Sequence, residues 1–201
     1  MNLANKLTFL RVLMIPLFIF FLYFLPAPML FGYFNLNTII ALLIFIIACI
    51  TDAIDGYVAR KYNMITDLGK LIDPLADKIL VLSALVCFIQ VFWIPAWTVV
   101  IIIAREFVVT GFRLAVVAKD NKAVIAADIW GKIKTAFTMG AIIAIMVFHI
   151  AWDFVFQILF NTYVNRQLLY LICDILVYIC VVLTVISGIT MIYKNRKLFK
   201  Q

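Results

Sequence analysis

Four aspartates stand where an apolar chain should have none: Asp52 and Asp55 close one long uncharged run, and Asp73 and Asp77 precede another. Ionisable side chains are expensive inside membrane-length apolar segments, so those present ask for a chemical reason. Their spacing is helical. At about 100° per residue, Asp52, Asp55, Gly56 and Ala59 share one face, and Gly69, Asp73 and Asp77 share one face of the next helix. The connection between them is short, so the two helices are expected to be antiparallel neighbours whose four carboxylates converge at one membrane edge. Such a cluster repels itself unless it is counter-charged. Oxygen-only ligation, with no histidine or cysteine beside it, suits Mg²⁺, Mn²⁺ or Ca²⁺ rather than zinc. Four carboxylates exceed what one Mg²⁺ usually takes, whereas two cations about 4 Å apart could share them and clamp a substrate's phosphates. Gly56 and Gly69 clear space for close approach to the backbone, and Arg60 offers a planar donor to phosphate. The bland alternative is helix capping beside Lys70 and Lys78 with the glycines as packing positions. It would suit one Asp-x-x-Asp pair better than two pairs with matched glycines.

The elements that must position these residues follow from composition. Of 201 residues, 67% are hydrophobic and 13% charged, which excludes a water-soluble enzyme. The mean hydropathy of +1.17 agrees. The length leaves room for about six helical spans of roughly 20 residues each and no separate soluble domain, so 1–201 reads as one membrane domain. Residues 12–51 carry no charge, but Pro26, Pro28, Gly32, Asn35 and Asn37 supply turn chemistry in their midst. Trp93, Pro95 and Trp97 mark a second tight turn at a membrane interface. The expected spans are 7–25, 36–57, 71–90, 96–118, 129–156 and 168–193. The fold class is therefore all-α and polytopic.

Basic residues set the orientation. Lys6 and Arg11; Arg60, Lys61 and Lys70; Lys119, Lys122, Lys132 and Lys134; and Lys194, Arg196, Lys197 and Lys200 all fall on one side, while the other side has only Arg166. By the positive-inside rule both termini and the aspartate cluster are cytoplasmic. The net charge of +7 then faces anionic lipid head groups rather than nucleic acid. Cys49, Cys87, Cys173 and Cys180 lie in apolar stretches without C-x-x-C spacing and read as buried filler. His149 reads as a lone interfacial histidine, and Asp153 and Asp174 as interfacial or paired.

The run Asp52-x-x-Asp55-Gly56-x-x-Ala59-Arg60, eight residues, Gly69-x-x-x-Asp73-x-x-x-Asp77 resembles the signature of the CDP-alcohol phosphatidyltransferases at all eight fixed positions. The resemblance implies a six-helix membrane fold, two divalent cations (Mg²⁺ or Mn²⁺) held by Asp52, Asp55, Asp73 and Asp77, and release of CMP from a CDP-linked substrate. It further implies nucleotide contacts at Gly56, Ala59, Arg60 and Gly69, with Asp77 as the general base. Asn5-Lys-Leu-Thr8-x-x-Arg11, Ala104-Arg105-Glu106 with Gly111-x-Arg113, and Gly131-Lys132-x-Lys134-Thr135 are similar to one branch, the bacterial phosphatidylglycerophosphate synthases. That likeness implies CDP-diacylglycerol as donor, with Asn5 and Thr8 on the lipid side, sn-glycerol 3-phosphate as acceptor, the bacterial inner membrane as location and a homodimer as assembly.

Physically, an acceptor close to a dianion needs cations that the lipid does not already neutralise, and Arg105, Arg113, Lys132 and Lys134 are the candidates. Arg105 and Glu106 lie deep in the fourth span, where an ion pair facing the bundle interior is the cheap arrangement. Glu106 suits a structural pair as well as a substrate contact. Lys132 and Lys134 are about 200° apart on a helix, so both face one pocket only if that segment is not helical. The expected chemistry is a single in-line displacement, with Asp77 taking the hydroxyl proton of the acceptor. Other acceptors, namely inositol phosphate, serine or phosphatidylglycerol, remain open at this point. A divalent-cation transporter is the rival from another class, although transporters bind near the bilayer midplane rather than at the edge of a hairpin.

Overall fold

Long uncharged runs with few breakers leave the backbone one economical way to satisfy its own polar groups, the α-helix. The computed structural model of the chain describes the backbone of residues 3–24, 29–30, 34–62, 67–120, 129–160 and 166–195, and the side chains of residues 10–23, 36–51, 78–112, 129–155 and 166–194. Among the described residues six α-helices follow one another: α1 (Leu3–Ile19), α2 (Leu36–Tyr62), α3 (Asp67–Gln90), α4 (Ala96–Asp120), α5 (Ile129–Phe160) and α6 (Gln167–Asn195). The all-α class expected from the sequence is the class observed. A π-helical turn, Phe20–Phe24, continues α1 beyond Pro16. Where the sequence predicts only a turn there is a small antiparallel pair, β1 (Met29–Leu30) with β2 (Phe34–Asn35), Met29 opposite Asn35 and Leu30 opposite Phe34.

The turn between α3 and α4 shows how local chemistry stops a helix. The amide of Trp93 donates to the carbonyl of Phe88 at 2.9 Å, and that of Phe92 to Ile89 at 3.0 Å. This is the paired pattern of a Schellman cap, and its left-handed position is taken by Phe92 at φ 58° rather than by the usual glycine. The apolar contact that accompanies such caps is present too, with the Phe88 and Trp93 rings 5.1 Å apart. Pro95 then precedes α4, and the Thr98 hydroxyl donates to the Pro95 carbonyl at 2.6 Å.

α1 packs against both α2 and α3, α5 against α6 and α2, and α4 chiefly against α6. Phe18, Phe45, Phe88, Ile142, Ile145 and Met146 fill the middle. The outward faces are apolar as well, with Val100, Phe107, Leu171, Val182 and Ile189 exposed, where a helix facing water would carry polar residues. α5 and α6 are each long and apolar enough over Ile129–Val155 and Gln167–Lys194 to cross a membrane. The described apolar stretches Leu10–Tyr23, Leu36–Thr51 and Lys78–Gln90 are shorter. Cys87, Cys173 and Cys180 are buried and Cys49 half-buried, all four as free thiols, in keeping with their expected role as filler.

Candidate active site

The sequence places Asp52, Asp55, Gly56, Ala59 and Arg60 within α2, and Gly69, Asp73 and Asp77 within α3. Both halves of the aspartate pattern are therefore helical, as their spacing requires. Asn5 and Thr8 lie on α1, the helix that packs on both of the others, and Arg113 lies on α4. The side chains of these residues, Asn5, Thr8, Asp52, Asp55, Gly56, Ala59, Arg60, Gly69, Asp73, Asp77 and Arg113, lie outside the described ones, and so does the convergence of the carboxylates. Arg11 on α1 is fully buried and has partners of its own.

Lys78 of α3 donates to the hydroxyl of Thr110 on α4 at 2.6 Å, and that hydroxyl donates in turn to the Glu106 carbonyl at 2.7 Å. Glu106 faces the bundle interior and accepts from both Arg105, at 2.9 Å, and Lys134 of α5. These side chains are 12–13% exposed, deep enough that neither charge is tolerable alone. The interior ion pair expected of Arg105 and Glu106 is thus present, and Lys134 joins it.

Arg105 is held on a second side by α6. Its Nε donates to the Thr184 carbonyl at 2.9 Å and its Nη2 to Ser187 Oγ at 2.6 Å. Thr184, Ser187 and Gly188 are spaced three and four apart and so share a face. A Cβ on Gly188 would come within 3.2 Å of Arg105 Cγ, so the missing side chain is what lets the arginine stem lie against the helix. The guanidinium is a strut between α4 and α6 as well as a charge.

The sequence leaves open whether Lys132 and Lys134 face one pocket. α5 is helical from Ile129, which puts them on different faces: Lys132 is exposed and Lys134 turns inward. A cavity of about 80 Å³ lies between α3, α4 and α5, with Lys78, Glu106, Lys134, Thr135 and Thr138 on its polar side and Val81, Leu82 and Ile102 on its apolar side. Lys78, Thr110, Ser187 and Gly188 had no functional weight in the sequence. The available signal was a Ser-Gly pair in an otherwise apolar span and a lysine adjoining the last aspartate.

The opposite end of the bundle, about 22 Å away along α5 at 1.5 Å per residue, holds the other polar cluster. His149 is 4% exposed because the Trp93 indole of the α3–α4 turn covers it, the rings stacked at 3.9 Å and 13°. Asp153 pairs with Arg166 at 2.9 Å, as expected for one of the two outer aspartates.

The chain belongs to the CDP-alcohol phosphatidyltransferase family, whose model matches residues 1–186. Its similarity to particular members extends nearly end to end. A protein of Bacillus subtilis named CDP-diacylglycerol--glycerol-3-phosphate 3-phosphatidyltransferase is 35% identical over 99% of this chain and 97% of its own length. A protein of the same name from Haemophilus influenzae is 34% identical over 94% of this chain and 90% of its own. A probable phosphatidylglycerophosphate synthase of Mycobacterium tuberculosis is 42% identical over 67% of this chain and 60% of its own.

Proposed function

We propose that this chain transfers the phosphatidyl group of CDP-diacylglycerol to sn-glycerol 3-phosphate, releasing CMP, as one domain over 1–201 that crosses the bacterial cell membrane six times with both termini and the site cytoplasmic. The observation that carries this reading is the eight-position aspartate signature lying within α2 and α3 of a chain that matches, end to end, relatives named for this transfer.

Asp52, Asp55, Asp73 and Asp77 would hold a pair of divalent cations, Mg²⁺ or Mn²⁺. The donor set fits such ions: carboxylates at three- and four-residue spacing on helices, without imidazole or thiolate among them. When bound, these ions neutralise the pyrophosphate and the charge passing to CMP. Gly56, Ala59, Arg60 and Gly69, with Asn5 and Thr8 from α1, would seat the nucleotide end of the lipid. Asp77 accepts the proton of the attacking hydroxyl, the role for which a carboxylate is the available base. The P–O bond to the new alcohol forms as the P–O bond to CMP breaks. Arg105, Arg113 and Lys134 are the acceptor-side cations of this reading, with Lys134 the one that lines the cavity, while Lys132, exposed on another face of α5, is left to lipid head groups. A homodimer completes the proposal.

The test is purified protein in lipid nanodiscs with CDP-diacylglycerol and sn-glycerol 3-phosphate. CMP release should stop on addition of a chelator and return with excess Mg²⁺ or Mn²⁺. Full activity in the chelator would overturn the two-cation reading.

A further inference from the structure

Arg105 and Glu106 are consecutive residues of α4, and consecutive side chains on a helix point about 100° apart, so their ion pair at 2.9 Å is not a contact that the helix itself supplies. Something outside α4 must turn the guanidinium, and α6 does so. The Thr184 carbonyl accepts from Nε at 2.9 Å and the Ser187 hydroxyl from Nη2 at 2.6 Å. A guanidinium is planar with its donors in a rigid fork, so holding Nε and Nη2 fixes the direction of Nη1, the atom that meets Glu106. The Thr184 carbonyl belongs to the backbone and would be there with any side chain. Of these two grips, the Ser187 hydroxyl is the one that the residue type supplies.

We propose that Ser187 is a positioning residue for the transfer reaction: it orients Arg105, and through Arg105 the Glu106 and Lys134 pair, so that α6 sets the acceptor side of the site without touching it. This rests on the phosphatidyl-transfer reading above and adds to it a residue of α6, a helix that holds none of the residues assigned there.

Three features support the assignment. First, neither Arg105 nor Ser187 lines the cavity between α3, α4 and α5, whereas Glu106 and Lys134 do, so the arginine acts on that cavity through the carboxylate. Second, Ser187 is 3% exposed, and its hydroxyl meets a charged donor, the stronger kind of hydrogen bond. Other hydroxyls of the bundle serve their own helix: Thr135 and Thr138 donate to α5 carbonyls, and Thr190 donates to the Ser187 carbonyl at 3.1 Å. That of Ser187 reaches across to α4 instead. Third, the neighbouring Gly188 leaves the arginine stem its seat on α6, which brings the guanidinium level with the serine.

The experiment measures initial rates in nanodiscs with CDP-diacylglycerol and sn-glycerol 3-phosphate. It compares the unmodified protein with Ser187→Ala, Ser187→Cys and Thr190→Val, and Arg105→Lys with and without Ser187→Ala. Loss of one hydrogen bond to a charged group predicts that Ser187→Ala raises the KM for glycerol 3-phosphate by about threefold to tenfold, with the KM for CDP-diacylglycerol within about twofold. Ser187→Cys, whose sulfur accepts weakly, should fall between, and Thr190→Val should leave both KM values in place. Where Arg105→Lys has already removed the fork, Ser187→Ala should add nothing, the non-additivity expected of direct partners. A serine that only packs would keep its full effect there. An unchanged acceptor KM in Ser187→Ala, an equal rise in the lipid KM, an equal rise in Thr190→Val, or a full Ser187→Ala effect beside Arg105→Lys would each overturn the proposal. Should Ser187→Ala fail to fold, Ser187→Cys carries the same test, and an unchanged acceptor KM there counts against it. These failures differ from failure of the broader reading, in which the unmodified protein would release no CMP with glycerol 3-phosphate.

Discussion

At the residue scale, one glutamate joins the polar groups of three helices. Glu106 collects Arg105 and Lys134 from two helices, and its own carbonyl orients the hydroxyl that receives Lys78. The roles assigned around it leave different kinetic marks. Asp77→Asn keeps size and one oxygen but cannot take the proton, so turnover should fall by roughly a hundredfold or more while CDP-diacylglycerol still binds. Near-normal turnover would remove Asp77 as the base. Arg113→Ala should raise the acceptor KM and spare the lipid; the reverse pattern in initial-rate measurements would show that the subsites are interchanged. The aspartate pattern is legible in sequence because helical period and intramembrane cost act on nearby residues. The fate of Arg105 is not, because its partners Thr184 and Ser187 are some eighty positions away.

At the element scale, hydropathy and breakers locate the helices to within a few residues. α4 starts at Ala96 and α5 at Ile129, as the turn chemistry and apolar runs predict, and α2 extends to Tyr62, a turn beyond the expected 57 because the Asp52 to Arg60 segment stays helical. What the runs cannot show is which faces meet. The close seat of Arg105 on Gly188 is such a contact, and a methyl there must press on an arginine tied at three points. Overpacking costs about 1–3 kcal/mol, against a gain of about 1 kcal/mol in helix propensity, so Gly188→Ala should lower the melting temperature. Gly140→Ala, which meets nothing within 4 Å among the described residues, should not. Phe92 offers the opposite sign. It is 84% exposed and sits in the left-handed cap position at φ 58°, so Phe92→Gly removes a strain of about 1–2 kcal/mol at little packing loss and should raise the melting temperature. A fall would mean that the ring contributes more than the strain costs.

At the scale of the whole molecule, the bundle has two polar ends separated by an apolar middle. One holds the Lys78, Glu106 and Lys134 cluster, and the other holds His149 beneath Trp93 with the Asp153 and Arg166 pair. The proposed topology rests on the asymmetry of basic residues along the sequence. Cysteines introduced at position 64 should therefore react with an impermeant thiol reagent only in inside-out vesicles; labelling in intact cells would invert the topology. Transfer of a phosphatidyl group by this bundle to a phosphorylated alcohol is read directly as CMP release. Purified protein with CDP-diacylglycerol and Mg²⁺ is given sn-glycerol 3-phosphate, glycerol, inositol phosphate, serine or phosphatidylglycerol in turn. Release with glycerol 3-phosphate should stand well above that with every other acceptor, and release only with an uncharged alcohol would overturn the acceptor assignment.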